Sequence, residues 1–113
     1  MIGRVTRDAY IAAVRTLIRE GERLSEHPSM VALQTWIAGS DELLGNAWGW
    51  MDRYHLSWLM VGRPADVVRG RAMTPHEEAE YVREVATAKT AALRMSLKAV
   101  EEDGMPFLGE TAG

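Results

Sequence analysis

The chain has 113 residues, 47% hydrophobic and 26% charged, with 13 basic side chains against 16 acidic ones and a net charge of −3. That length and balance suit a single soluble globular domain with its own core, unlike a disordered or collagenous chain. The absence of cysteine excludes disulfides, thiolate nucleophiles and cysteine-ligated metal centres, and the mild acidity argues against nucleic-acid binding, which needs a basic excess.

Period-2 alternation is missing, and helical periodicity dominates from the start. Thr6 or Asp8 caps a first helix, with Tyr10, Ile11, Val14, Leu17, Ile18 and Leu24 on one arc and Arg15, Arg19, Glu22, Arg23 and Glu26 on the other. Glu26-His27-Pro28 breaks that helix, because proline lacks the next donor and restricts the residue before it. Pro28 then suits the first turn of a short second helix bearing Met30, Val31, Leu33, Trp36 and Ile37, with Gly39 as its left-handed cap. Ser40, followed by Asp41 and Glu42, predicts the start of a third helix that runs to about Val61 and stops at Gly62-Arg63-Pro64. Its apolar arc is wide, from Leu43, Leu44, Ala47 and Trp48 through Trp50, Met51 and Tyr54 to Trp58 and Leu59, as in the central helix of a bundle.

A connector follows, with one turn of helix expected over 65–68. Thr74-Pro75-His76-Glu77 is a capping box that opens the last helix. The stripe Ala79, Val82, Val85, Ala86, Ala92, Leu93, Leu97 and Val100 carries that helix to about Asp103, and Gly104 and Pro106 end it. The expected fold is an all-α, four-helix-type bundle with one short helix, a wide-faced apolar third helix and a long C-terminal helix. It forms a single domain over 1–104 with an irregular tail over 105–113.

His55 falls between Trp48, Met51, Trp58 and Leu59 on the wheel, which predicts a desolvated histidine beside Tyr54, either a satisfied core residue or a pocket residue that binds a ligand. Lys89 interrupts the apolar stripe of the last helix and either lays its stem on apolar surface or points inward. Glu78, Lys89, Ser96 and His55 are candidates for a polar cluster inside the bundle. Gly45 and Gly49 cost a helix interior about 1 kcal/mol each, so they predict a break at Gly45-Asn46 or, in preference, close packing of another helix within the monomer or across a dimer interface that includes Trp36 and Trp50. The three histidines, His27, His55 and His76, are too dispersed for a metal site, and no phosphate loop or dinucleotide fingerprint occurs, so no metal or cofactor is expected.

Arg71-Ala72-Met73-Thr74-Pro75-His76 resembles the arginine-to-histidine spacing of the HEPN ribonucleases, small dimeric helical bundles. That resemblance implies RNA cleavage by Arg71 and His76. The residues themselves favour another class. Four tryptophans and seven methionines are many for one core, and such side chains concentrate at interfaces. The expected function is therefore a non-enzymatic protein–protein interaction module working through an apolar helical surface, self-associating as a homodimer. A small-molecule binder using Trp48, Tyr54, His55, Trp58 and Lys89 is the alternative. No apolar run approaches the ~20 residues that span a bilayer, and no apolar segment follows the N-terminal arginines, so the expected location is the cytoplasm. The excess of arginine over lysine suggests a high-GC bacterial or phage source.

Overall fold

Thr6 accepts a hydrogen bond from the Ala9 amide at 3.1 Å and so starts α1 (Arg7–Glu26). The computed structural model describes residues 5–62, 72–107 and 110–111. In it α1 is followed by α2 (Met30–Trp48), α3 (Arg53–Met60) and α4 (Pro75–Glu101), an all-α bundle. The first and last helices run antiparallel, since the Tyr10 hydroxyl meets Ser96 at one end and Ser25 meets Thr87 at the other. The second helix returns along the first. Trp36 donates its indole N–H to the Leu17 carbonyl and Trp48 donates its own to the Tyr10 hydroxyl, both at 2.8 Å. The core between these helices centres on Val14, Leu33, Leu44, Val85 and Leu93, all buried.

The capping box forms as its sequence predicts. The Thr74 hydroxyl accepts from the Glu77 amide at 3.2 Å, and the Glu77 carboxylate accepts from the Thr74 amide at 2.9 Å. The long last helix ends at Glu101.

The middle of the chain is divided differently from expectation. Ser29, not Pro28, begins the second helix, accepting from the Ala32 amide at 3.3 Å. That helix passes through Gly39 and Ser40 without a break and ends at Trp48, with Gly49 as its cap. Gly39 faces open space, so it costs only its helix propensity of about 1 kcal/mol. Burying Leu33, Trp36 and Leu44 on either side of it outweighs that cost at roughly 2 kcal/mol per side chain. Ser40 is fully buried in mid-helix rather than capping one. The short helix is thus the third, and the wide apolar arc came from reading two helices as one.

The bundle also demands one unforeseen glycine. A Cβ on Gly21 would stand 2.0 Å from Thr90 Oγ1 and 2.8 Å from the Trp36 ring, so this glycine sets the approach of α1 to α2 and α4. The tail is less irregular than expected. Phe107 is buried, and β1 (Val5–Thr6) pairs in parallel with β2 (Glu110–Thr111). Arg7 clamps this return, donating to Glu110 through Nε and Nη2, each at 2.9 Å, and to the Val100 carbonyl at 3.0 Å. The Glu110 carboxyl is held below its ordinary pKa by those hydrogen bonds from Arg7. The turn expected over 65–68, together with Arg63 and Arg71, lies outside the described residues. Among the described residues no helix is long and apolar enough to cross a membrane.

Candidate functional site

Gly49, at φ 98° and ψ 142°, ends α2 in a conformation that a side chain rarely allows. Two residues on, Met51 has φ 69°, the single positive φ of a non-glycine among the described residues. A left-handed methionine costs about 1–2 kcal/mol, so its surroundings must hold it there. They do so through His55, which is 3% exposed. The Met51 amide donates to His55 Nδ1 at 2.8 Å. With Nδ1 accepting, the ring proton belongs on Nε2, which meets Asp41 Oδ1 at 2.7 Å. One imidazole therefore ties the turn to the start of α3 and to the flank of α2.

This braced corner displays apolar side chains. Trp50 lies against Gly45, where an added Cβ would come within 2.3 Å of its ring. It also meets the His55 ring edge-on at 5.1 Å. Trp50 nevertheless stays 55% exposed, and Met51 61%. Leu56 and Met60, one helical turn apart on the outer flank of α3, are exposed as well. Backbone strain and solvated apolar surface each cost stability, and their coincidence at one corner makes it the candidate site.

The inner face of α3 is anchored by Lys89, which is 7% exposed. Its ammonium donates to the Trp58 carbonyl at 2.7 Å and stands 4.1 Å from the Trp58 ring centroid. A cation is favoured there twice, by the negative end of the short helix and by the indole face. His55 stacks on the other neighbour of this group, the Trp58 ring, at 6.3 Å. The chain then leaves through Gly62, at φ 68°, where a Cβ would lie 3.1 Å from the Val85 backbone.

Trp48 and Tyr54 belong to a different place. Their rings pack at 4.4 Å and, with Phe107 and Met105, line an open cleft of about 420 Å3 whose rim carries Asp52 and Arg53. Beneath it the Tyr10 hydroxyl accepts from Trp48 and donates to Ser96 Oγ at 3.0 Å, and Ser96 in turn donates to the Leu93 carbonyl at 2.9 Å. Burial pushes the Tyr10 phenol above its ordinary pKa, outweighing these hydrogen bonds.

The sequence candidates thus separate into groups. His55, Trp58 and Lys89 meet along the inner side of α3, while Trp48 and Tyr54 face the cleft. The expected polar cluster does not assemble, because Ser96 serves Tyr10 and Glu78 sits beside Pro28 and Pro75 at the far end of α4. Trp36 is core rather than interface. Gly45 receives the ring of Trp50. His76 is exposed on the first turn of α4, and its companion Arg71 lies outside the described residues. Among the described residues no three histidine, aspartate or glutamate side chains are grouped to hold a metal ion. Sequence reasoning did not single out Asp41 as the partner of His55, or Met51 as the strained residue. The i, i+4 spacing of Met51 and His55 just after Gly49-Trp50 was the available signal. Comparison of the chain with family models, curated proteins and solved structures finds no match.

Proposed function

We propose that this chain is a non-enzymatic protein–protein interaction module, an adaptor, inhibitor or regulatory subunit acting in the cytoplasm, and that it engages its partner through the α2–α3 corner. One observation carries the reading: Trp50 and Met51 stand in solvent on a turn that His55 holds in a strained shape. Tryptophan and methionine are typical anchors of binding surfaces, and a rigid turn presents them with little ordering cost. Affinity capture from the native host tests it. The wild-type chain retains a partner that Trp50→Ala loses while keeping its helical circular dichroism; equal retention by both overturns the assignment of the surface.

The two-fold homodimer expected from the sequence is a self-association version of the same reading. Light scattering decides it, with a monomeric mass excluding the dimer. A second reading, binding of a small molecule, draws on the cleft lined by Trp48, Tyr54 and Phe107. It is displaced from His55, where the sequence put it. A planar apolar ligand there would quench Trp48 fluorescence, and Tyr54→Ala would abolish the quenching.

A further inference from the structure

We infer that the partner seated on the α2–α3 corner is a basic amphipathic helix; this rests on the interaction reading above and names the chemistry of its partner. The shape supports it first. Leu56 and Met60 follow one another at a helical spacing along the outer flank of α3, and Trp50 is exposed on the turn that precedes the helix. Leu56 and Met60 lie about 6 Å apart along the helix axis, the spacing of the i, i+4 anchors of a partner helix.

Charge then selects among occupants. The second helix contains no lysine or arginine, and its acidic residues are Asp41 and Glu42. Asp41 borders the corner through His55, and Glu42, the next residue of α2, is exposed. Asp52, the N-cap of α3, is exposed and makes no side-chain capping bond, so its carboxylate is open to a partner. Against these carboxylates the two helices set the single cation Arg53. A second copy meeting the same surface would bring like charges together, at a cost in association. Phosphate, whether of nucleic acid or of an anionic bilayer, would be repelled in the same way. A helix with leucine-like anchors and flanking lysine or arginine satisfies both the strip and its rim.

The test uses the full chain and three synthetic helices of about 14 residues, four turns each. One places leucine on a single face and lysine elsewhere; one replaces lysine by glutamate; one has the leucine–lysine composition scrambled so that no apolar face forms. The inference expects the amphipathic leucine–lysine helix to bind and the other two to bind about tenfold more weakly or less. It also expects about a tenfold loss in Trp50→Ala and in Glu42→Lys/Asp52→Lys, both with unchanged circular dichroism. Equal binding of the scrambled helix, or no loss in either variant, overturns it. A preference for the leucine–glutamate helix that Trp50→Ala removes would overturn the charge argument and leave the surface standing. A dimer of the free chain that Trp50→Ala dissociates would leave the surface standing with a second copy as its occupant. Absence of binding by every helix, in a chain that is monomeric and captures no partner, overturns this inference and the interaction reading together.

Discussion

Met51 donates its backbone N–H to His55 Nδ1 across 2.8 Å, so a buried imidazole holds the left-handed methionine that turns α2 into α3. The same ring meets Asp41 through Nε2, so His55 ties the turn to both helices around it. Replacing it by leucine strands the Met51 amide and removes the donor from Asp41. The expected loss is about 1–3 kcal/mol in urea unfolding, the usual range for an unpaired buried donor. Glutamine, with an acceptor and a donor of its own, should recover part of that loss. A His55→Leu protein as stable as the wild type would show that the turn does not need the brace.

The position of that turn was the least legible feature of the sequence. Gly39-Ser40-Asp41 has the composition of a helix end and a new N-cap, yet those residues form continuous helix because Leu33, Trp36 and Leu44 bury along it. Local propensity of about 1 kcal/mol cannot compete with that burial. The signals that did hold were those with two reciprocal parts, such as the Thr74–Glu77 capping box, or those repeated along a stripe, as in α1 and α4. His55 and Lys89 were legible as polar residues on apolar faces, and both are buried. Their partners were not, because Asp41 and the Trp58 carbonyl become neighbours only once the chain folds back at Gly49.

Two glycines should respond in opposite directions. Gly21→Ala would push a methyl into Thr90 and Trp36. The resulting overpacking, about 1–3 kcal/mol, opposes and should exceed the helix-propensity gain of about 1 kcal/mol. Gly39→Ala meets nothing and should stabilise the chain by about 0.5–1 kcal/mol. Thermal unfolding of the two variants checks both signs.

Tyr10 gives the bundle an alkaline limit. Its phenol pKa is raised above 10.0 by burial, so the folded chain holds that proton more tightly than the unfolded one. The resulting stability is fully present below about pH 10, the unfolded value, and is lost as pH rises through the folded value. Tyr10→Phe removes this dependence. It also leaves the Trp48 indole N–H without its acceptor, at a cost of about 1–3 kcal/mol near neutrality. Urea midpoints measured against pH for the two proteins separate the effects.

The tail should loosen in acid. Arg7 depresses the Glu110 pKa below 4.5, so the pair contributes above that unfolded value and its contribution is lost as pH falls through the folded one. Hydrogen exchange around Phe107 should quicken on acidification in the wild type. In Arg7→Ala it should already be fast at neutral pH, and slow exchange there would contradict the clamp.

The central claim is that the α2–α3 corner meets the partner, and the methionine methyl groups report on it directly. Met51 and Met60 stand at the corner, 61% and 60% exposed, while Met95, 59% exposed on α4, offers an equally solvated control. In a methyl spectrum of the chain titrated with its captured partner, the resonances of Met51 and Met60 should shift while that of Met95 stays in place. A shift of Met95 with Met51 and Met60 unmoved would contradict the account.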